Sequence, residues 1–359
     1  MRSRPCPRRS RDCASRPEPV RVLVAMSGGV DSSVAAAILL EQGHDVMGVT
    51  MKLWGGASDS GCCSVADVDD ARRVAQQLGI DHWVFAFTDD FDAHVVEPYL
   101  AAHAAGRTPN PCIECNRRLK FDRLLRRADQ LGFDAVATGH HARVVRSADG
   151  RTRLRRGADR AKDQSYVLYV LGSAELARCH LPVGELTKAE VRRRAAALGL
   201  RTADKPDSQD VCFVLATGGR RAFLEPRIGL HPARLIDTAG RDVGRVDAVE
   251  LVTVGQRRGL GSAGGGRRYA LAVDTAGATV TVGSLDDLSV DHVRLTELSW
   301  VDTAVTGPVL AQCSAHGPAL PATFDGERVW FVERQRAVAP GQSVVLYDGD
   351  DVLGGGTVI

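Results

Sequence analysis

Short apolar runs alternate with longer helix-forming segments over residues 21–215. Residues 22–26 are apolar and β-leaning, as in a buried parallel strand, whereas residues 34–40 are rich in Ala and Leu and contain neither Gly nor Pro. Further strands are predicted at 46–54, 83–87 and 135–138, and further helices at 65–78, 121–131 and 186–198. This repeating order is typical of a doubly wound α/β domain with a parallel sheet.

The pattern changes after residue 213, where Gly-rich loops and short alternating segments replace the helices. Apolar runs at 329–332 and 343–347 flank the turn signal Pro340-Gly341-Gln342, as in a small barrel of short strands. We therefore predict four parts: a disordered tail at 1–20, the α/β domain at 21–215, a small and mostly β central domain at 216–285, and a C-terminal β-barrel at 286–359.

The composition of the chain indicates its setting more than its function. With 359 residues and 44% hydrophobic content, the chain can bury two or three cores, and no apolar run reaches the length of a membrane span. Nine cysteines without a signal-peptide pattern favour a reducing compartment. We therefore expect a cytoplasmic protein without membrane association, and we expect it to be a monomer.

Charge is distributed unevenly along the chain. The formal net charge is +2, but residues 1–20 hold six Arg against Asp12 and Glu18. This tail faintly resembles an organellar transit peptide but lacks amphipathic spacing, which favours an idle tail or an upstream start codon. Basic clusters at 117–127 and 143–162 predict either polyanion-binding surfaces or solvated faces. The segment from 286 onward has eleven acidic residues against four Arg, which disfavours it as the main nucleic-acid platform.

The segment Ser27-Gly28-Gly29-Val30-Asp31-Ser32-Ser33 joins the first predicted strand to the first predicted helix. Gly28 and Gly29 allow a tight turn and a close approach to a ligand, and either Ser32 or Ser33 can cap the helix. The N–H groups and dipole of a helix N-terminus favour an anion, so the segment predicts a pyrophosphate-binding turn. It lacks the Gly-Lys-Ser/Thr of P-loop kinases and the G-x-G-x-x-G spacing of dinucleotide-binding folds.

Thiol chemistry is indicated by a second segment, at 106–116, in which Pro109 and Pro111 block a helix before Cys112. Cys112-x-x-Cys115 leads into a predicted helix, where the helix N-terminus and nearby Arg lower thiol pKa values. The pair equally fits half of a zinc site, but the sequence has no second Cys-x-x-Cys and no suitable pair of histidines to complete one.

Ligands of doubly wound sheets lie beyond the carboxyl ends of the strands. That rule brings the Ser27 loop, Met51 and Gly139-His140 to one edge of the predicted sheet. His140 there either contacts a substrate or has a capping or solvent-facing role. Cys212, at the end of the α/β region, is a third candidate thiol, whereas Cys62-Cys63 is interpreted as a bystander pair because adjacent cysteines chelate one ion poorly.

Seven motifs occur together and in order, and in this combination the chain resembles the tRNA-specific 2-thiouridylases. These are PP-loop enzymes of the N-type ATP pyrophosphatase group, and the resemblance runs from about residue 21 to the end of the chain. The motifs are the PP-loop at 27–33 and the segments at 106–111, 139–140, 162–166, 181–186, 207–213 and 255–261.

The resemblance implies ATP-dependent 2-thiolation of the wobble uridine in tRNAs of the Lys, Glu and Gln type. It implies ATP and Mg²⁺ as cofactors, and a cysteine desulfurase or sulfur-relay protein as the sulfur donor. Transfer of AMP to the uracil C2 oxygen turns a poor leaving group into a good one, which sulfur then displaces. In this scheme Cys212 carries a persulfide, and Cys115 is the catalytic thiol that pairs with Cys212 in a disulfide when sulfur is released.

The remaining site residues are implied by the same resemblance. Those expected to bind ATP are Ala25, Met26, Ser27, Gly28, Gly29, Val30, Asp31, Ser32, Met51 and Gly139. Those expected to border the flipped target base or to touch tRNA are Asn110, Pro111, Cys112, His140, Lys162, Asp163, Gln164 and Gln342.

The sequence departs from the family pattern at Cys112, where many members have the Asp of an Asn-Pro-Asp triplet. A third thiol there leaves a second route open, in which Cys112, Cys115 and Cys212 hold a [4Fe-4S] cluster with one open iron position. We rank the persulfide route first. The Arg-Tyr expected in the barrel near 313–317 is also absent. Rival classes are a PP-loop ligase that adenylates a small carboxylate, and a tRNA-binding protein without activity.

Overall fold

The computed structural model describes residues 19–54, 64–147, 150–207, 211–260 and 267–359. The predicted tail up to residue 18, the pair Cys62-Cys63 and parts of two motifs, at 208–210 and at 261, lie outside the described residues.

The N-terminal part of the chain is built on a five-stranded parallel sheet in the order β3-β2-β1-β4-β7. The strands are β1 (Arg21–Ala25), β2 (Asp45–Lys52), β3 (His82–Ala86), β4 (Ala135–Ala137) and β7 (Cys179–His180). The central strand β1 aligns Val22 with Val46 of β2 and with Ala135 of β4. Both faces of β1 are buried, as a parallel sheet covered on two sides requires. The α/β prediction is confirmed, with strand limits shifted by one or two residues.

Helices cover the two faces of this sheet. On the face of Val22 and Val24 pack α1 (Val30–Glu41), α2 (Val65–Leu78) and α8 (Lys188–Ala197). On the face of Leu23 and Ala25 lie the helical segments of the intervening chain. These are α3 (Thr88–Phe91), a π-helix (Asp92–Val96), α4 (Glu97–Ala104), α5 (Pro111–Glu114), a second π-helix (Cys115–Arg123), α6 (Leu124–Gln130), a 3₁₀ turn (Ser165–Leu168) and α7 (Ser173–Leu176).

A smaller mixed sheet follows, in the order β10-β11-β8-β9. Its strands are β8 (Ala233–Ile236), β9 (Asp242–Val246), β10 (Tyr269–Asp274) and β11 (Thr279–Gly283). Two short helices lead into it, α9 (Cys212–Ala216) and α10 (Arg220–Ile228), and a 3₁₀ turn (Val249–Leu251) lies within it. This agrees with the predicted small, mostly β central unit.

The C-terminal part is an antiparallel barrel of six strands, closed by the pairing of β12 with β17. The strands are β12 (Ser289–Trp300), β13 (Gly307–Gln312), β14 (Ala319–Phe324), β15 (Arg328–Arg336), β16 (Ser343–Asp348) and β17 (Asp351–Val358). The barrel prediction is confirmed. No helix among the described residues is long and apolar enough to cross a membrane.

A hairpin from the α/β part extends the barrel sheet, and the sequence pattern did not predict it. Strands β5 (Ala142–Arg146) and β6 (Thr152–Arg156) pair with each other, and Arg155 of β6 lies opposite Asp351 of β17. Much of the basic cluster at 143–162 is therefore engaged by carboxylates, several of them from the acidic barrel. The ion pairs are Arg143–Asp350, Arg151–Asp302, Arg153–Asp351, Arg155–Asp351, Arg156–Asp163 and Arg160–Asp350.

An aromatic cluster holds the start of α9 against the α/β part. The ring of Phe213 lies 5.5 Å from that of Phe91, 5.4 Å from Tyr99 and 4.9 Å from Phe223, measured between centroids, all edge-on. Edge-to-face packing at these distances stabilises a core beyond the area it buries. Because Phe213 directly follows Cys212, the cluster fixes the position of that candidate thiol.

Phe213→Ala is expected to lower the free energy of unfolding by about 3–5 kcal/mol, because it removes a 2% exposed ring from this cluster. Leu215→Ala on the same helix is the matched control, since Leu215 is 53% exposed and should change stability by only about 0.5 kcal/mol. Urea unfolding of both variants measures the difference. Equal losses would contradict the anchoring role of Phe213.

Candidate active site

The PP-loop connects β1 to α1, which begins at Val30. Gly28 has a φ of +71°, a left-handed conformation that favours glycine. The expectation that Ser32 or Ser33 caps α1 is wrong, because the N-cap is Gly29 and makes no side-chain capping bond. Both hydroxyls instead donate to the Gly29 carbonyl, at 3.1 and 2.8 Å. The first-turn N–H groups of a helix have no partner within the helix and so can bind an anion.

At two glycines of this site the neighbouring backbone lies so close that a side chain has no room. A Cβ on Gly28 would lie 2.3 Å from the carbonyl oxygen of Asp67, at the start of α2. A Cβ on Gly139 would lie 2.5 Å from the backbone nitrogen of Ser32. Both positions therefore need glycine for steric reasons. The structure brings Gly139 directly onto the first turn of α1, as the common sheet edge predicts.

A network of charges connects the PP-loop with the segment that leads to Cys212. Lys188, at the start of α8, donates to both carboxylate oxygens of Asp31, at 2.8 and 2.7 Å, and lies 2.7 Å from Asp207. Asp207 also accepts from Lys162 at 2.8 Å and from Arg192 at 3.0 Å. The Lys188 side chain is only 12% exposed. Its ammonium group is therefore shared by two carboxylates at a site largely shielded from water.

The two carboxyl groups of this network are held ionised. Burial acts to raise the pKa of Asp31, but hydrogen bonds from His141 and Lys188 outweigh it and lower the pKa below its usual value. Burial likewise acts to raise the pKa of Asp207, and hydrogen bonds from Lys162 and Lys188 lower it from 3.8 to about 2. Asp31 also accepts from Nε2 of His141, at 3.1 Å.

Asp207→Asn is expected to destabilise the protein at neutral pH but to change little in acid. A carboxyl group whose pKa is lowered on folding contributes stability above its unfolded pKa, and this contribution is lost as pH falls through the folded pKa. For Asp207 the loss lies between about pH 4 and pH 2. Urea midpoints measured from pH 6 downward, with exposed Asp81→Asn as control, should converge with wild type in that range. A difference that stays constant with pH would contradict this role.

The candidate thiols differ in their surroundings. Cys115 is buried at the first residue of a π-helix, Cys112 is exposed on the turn before it, and Cys212 is half-buried at the start of α9. None of the five described cysteines is in a disulfide, and Cys115 and Cys212 are not a close pair. Burial raises the pKa of the two other described thiols, Cys179 and Cys313, to about 12, which keeps them protonated and unreactive.

The described residues do not fit the expected iron–sulfur cluster. Within the described ranges, no group of three or more His, Cys, Asp or Glu side chains is arranged to hold a metal ion.

The segment before Cys112 packs against the barrel. Asn110 caps α5, since its Oδ1 accepts from the backbone N–H of Cys112 at 3.1 Å. The side-chain amide of Gln342 donates to the carbonyl of Thr108, and the N–H of Thr108 donates to the carbonyl of Pro340 at 2.8 Å. The barrel turn at 340–342 thus sets the position of the loop that precedes the candidate thiols.

The remaining tRNA-contact candidates make internal contacts in this structure. The Asp163 side chain is 6% exposed and accepts from Arg156, from the backbone of Gly157 and from Ser165. Gln164 accepts from the backbone N–H of His141 at 2.8 Å. His140 is buried, with its Nδ1 2.7 Å from the Thr138 hydroxyl, and burial lowers its pKa well below the usual value.

Sequence reasoning missed two residues of this site, Lys188 and His141. Thr187-Lys188-Ala189-Glu190 has the sequence of a capping box, and reciprocal bonds between Thr187 and Glu190 form one at the start of α8, but this pattern assigns no role to Lys188. His141 follows His140 directly and could not be separated from it by pattern. The available signal was position, since His141 follows the predicted strand at 135–138 and Lys188 lies in the first turn of the predicted helix at 186–198.

A parallel sheet with a Gly-rich loop at its carboxyl edge, followed by a closed barrel, defines a nucleotide-binding α/β protein of the HUP class with an added barrel domain. Residues 20–216 match the family model described as tRNA methyl transferase HUP domain, and residues 290–358 match that described as aminomethyltransferase beta-barrel domain. Comparison with full-length relatives is more specific, and the chain belongs to the MnmA family of tRNA-specific 2-thiouridylases. The resemblance inferred from the motifs is thereby confirmed.

Two relatives illustrate the match. The tRNA-specific 2-thiouridylase MnmA of Chloroflexus aurantiacus is 49% identical over 351 residues, covering 94% of this chain and 98% of the relative. That of Roseiflexus sp. strain RS-1 is 48% identical over 372 residues, covering 94% and 99%. Among solved structures, a 4-thiouridine synthetase in complex with RNA and ATP is 21% identical, with a TM-score of 0.37 over 56% of this chain and 46% of that one. This last likeness is too slight to carry an argument.

Proposed function

We propose that the chain catalyses ATP-dependent 2-thiolation of the wobble uridine in tRNAs of the Lys, Glu and Gln type. The observation that carries the proposal is the pair of bonds from Lys188 to Asp31 and to Asp207. These bonds connect a phosphate-binding loop with the segment that leads to a half-buried thiol, Cys212. A site that activates an oxygen with ATP and then replaces it with sulfur needs these two parts side by side.

ATP is proposed to bind along the PP-loop. The first-turn N–H groups of α1 and the hydroxyls of Ser27 and Ser32 suit a polyphosphate, and the carboxylate of Asp31 suits Mg²⁺, which prefers oxygen ligands. Bound Mg²⁺ would supply charge neutralisation at the phosphates. The full set proposed for ATP is Ala25, Met26, Ser27, Gly28, Gly29, Val30, Asp31, Ser32, Met51 and Gly139.

The sulfur step is proposed to use Cys212 as carrier and Cys115 as its partner. The terminal sulfur of a Cys212 persulfide attacks C2 of the adenylated uridine, a C–S bond forms, and AMP leaves with the C2 oxygen. The thiolate of Cys115 then attacks Sγ of Cys212, which breaks the S–S bond, leaves sulfur on C2 and forms a disulfide. An external thiol reductant restores both cysteines. Because Cys115 and Cys212 are apart in this structure, this step requires them to approach each other.

The target base is proposed to enter beside Asn110, Pro111 and Cys112, with further tRNA contacts from His140, Lys162, Asp163, Gln164 and Gln342. Lys162 and Gln164 are the accessible members of the second set, since the Lys162 side chain is 40% exposed and Gln164 is exposed. The bond from Lys162 to Asp207 gives Lys162 a second role, in holding the Cys212 segment.

The remaining expectations stay proposals. The sulfur donor is a cysteine desulfurase or a sulfur-relay protein, the chain acts as a monomer in the cytoplasm, and its domains divide at residues 20, 215 and 285. The persulfide route is preferred to a [4Fe-4S] cluster on Cys112, Cys115 and Cys212, because these residues are not grouped as metal ligands in the described part of the chain.

The test is thiolation of an unmodified tRNA-Glu transcript with ATP, Mg²⁺ and a persulfide donor, read by nucleoside mass spectrometry and by AMP release. We expect 2-thiouridine and AMP in equal amounts, and neither product from a transcript with cytidine at the wobble position. AMP formed with a small carboxylic acid and no RNA would instead establish a ligase. RNA binding without AMP would leave only a binding protein.

Anaerobic purification decides between the two sulfur routes. Iron and acid-labile sulfide are measured in wild type and in Cys112→Ala, together with thiolation. We expect iron-free, active protein in both cases. Stoichiometric iron that disappears with Cys112, along with activity, would overturn the persulfide route.

A further inference from the structure

Strand β3 forms one edge of the parallel sheet and pairs with β2. Gly48 donates to the carbonyl of Asp81 and Phe87 donates to the carbonyl of Lys52, both at 2.9 Å. Successive residues of a strand direct their backbone groups to opposite sides, so Val84 and Ala86 direct theirs away from β2. The outer side of β3 thus presents hydrogen-bonding groups in the arrangement that another strand would match.

This outer side borders a groove of about 330 Å³. One wall is β3 with the residue after it, and the other wall is formed by Arg123, Arg126 and Arg127 from the helix that follows Cys115. Val84 in the first wall is 41% exposed, and so is Trp83, the preceding residue of β3. Natural proteins usually protect an edge strand, so an edge with exposed apolar side chains is suited to pairing with a further strand.

The three arginines give the groove a positive wall. The guanidinium of Arg127 lies 5.2 Å from the centroid of Phe85, and that of Arg123 lies 5.9 Å from the centroid of Phe87, so the aromatic rings hold the charges beside the strand. Arg123 pairs with Asp90 at 3.0 Å and Arg126 with Asp122 at 2.8 Å, with all four side chains partly exposed. Exposed pairs contribute about 0–1 kcal/mol, so carboxylates of a partner can replace them.

We propose that this groove binds an extended acidic segment of a partner protein, which adds to the sheet as a strand beside β3. Strand addition takes affinity from main-chain hydrogen bonds and specificity from alternate side chains. Here the backbone of Val84 and Ala86 supplies the first, and the arginines select carboxylates. A polypeptide fits this site better than RNA does, because the edge offers alternating N–H and C=O groups. The chain's own residues 1–18 are excluded as occupant by their six Arg.

The groove also lies close to the proposed chemistry. Arg123 ends the π-helix that begins with Cys115, so the two are at most roughly 12 Å apart along the helix axis. We identify the acidic partner with the sulfur donor, and this identification rests on the proposed function. Docking of an acidic segment does not depend on that function.

The docking test uses the peptide Glu-Val-Asp-Val-Glu-Val-Asp-amide, labelled with fluorescein at its N-terminus, and the full-length protein in a fluorescence anisotropy titration. Wild type should bind it, and Arg123→Gln combined with Arg126→Gln and Arg127→Gln should weaken binding by about tenfold or more. The matched control replaces three exposed helical arginines elsewhere, Arg193, Arg194 and Arg221, and should bind as wild type does. A peptide with Lys in place of the acidic residues, or with N-methyl groups on alternate residues, should not bind.

Other results would overturn the docking proposal. They are no binding at ~1 mM peptide, equal binding by the triple variant, or undiminished binding of the N-methylated peptide. A triple variant that loses affinity for tRNA while keeping that for the peptide would make the groove a nucleic-acid surface. Cys115→Ser should bind the peptide normally. Peptide binding without thiolation would support the docking proposal and refute the proposed function. Thiolation without peptide binding would support the proposed function and refute the docking proposal.

Discussion

Cys212→Ser is expected to abolish thiolation of tRNA, by at least about a thousandfold, while ATP–pyrophosphate exchange in the presence of tRNA continues. A serine hydroxyl cannot carry a persulfide, so the sulfur step loses its nucleophile. The PP-loop and Lys188 are untouched, so adenylation keeps its groups. Cys115→Ser should also stop turnover, but it should accumulate RNA bound through sulfur to Cys212, because the second thiol that releases it is missing.

Cys313→Ser is the matched control for these variants. Burial raises the pKa of Cys313 to about 12, so it should not act as a nucleophile, and its replacement should leave thiolation near the wild-type rate. Both reactions are followed in parallel, with thiolation by mass spectrometry and exchange by labelled pyrophosphate. Undiminished thiolation in Cys212→Ser would refute the carrier role of that residue.

Lys188→Gln is expected to lower the rate of ATP-dependent AMP formation by about a hundredfold or more. The substitution removes a charged donor from Asp31 and Asp207 at once, in a site where that charge is poorly replaced by water. The apparent affinity for ATP should fall because Asp31 in the PP-loop loses its partner. The turnover rate should fall because the segment that leads to Cys212 loses its bond through Asp207.

A stability measurement separates a role of Lys188 in AMP formation from a merely structural role. Urea unfolding gives the folded fraction under assay conditions, and a purely structural effect would lower activity only in proportion to that fraction. Arg194→Gln on the same helix is the control, because Arg194 forms an exposed pair with Glu41 at 3.1 Å and should alter neither quantity appreciably. A Lys188→Gln protein that turns over at the wild-type rate would contradict the coupling of the two carboxylates.

The order of strands and helices could be predicted because it depends on local periodicity. Residues 65–78 are a helix with the predicted limits, and Gly28 of the PP-loop has the left-handed conformation that favours glycine. These features are encoded within a few neighbouring residues, so the sequence alone is sufficient to find them.

Features that depend on distant partners could not be predicted. The arginines at 143–162 are as basic in sequence as an RNA-binding surface, but acidic residues of the barrel, far along the chain, pair with most of them. The role of Lys188 depends on Asp31, which lies 157 residues earlier. A π-helix begins at Cys115, directly after the short helix that carries Cys112, and the local sequence pattern predicted only an ordinary helix there.

The hairpin of β5 and β6 affects how the chain is made as well as how it is arranged. Its strand partner is β17, and the bond from Arg143 to Asp350 joins residues 207 positions apart. A ribosome therefore releases the hairpin long before the acidic strand that covers it is synthesised. In that interval the nascent chain exposes an unpaired strand edge and several uncompensated arginines, which makes it prone to misassociation and a candidate for chaperone binding. Completion of the barrel is thus a late folding event, and it also supplies the strand and the carboxylates that pair with the β5–β6 hairpin.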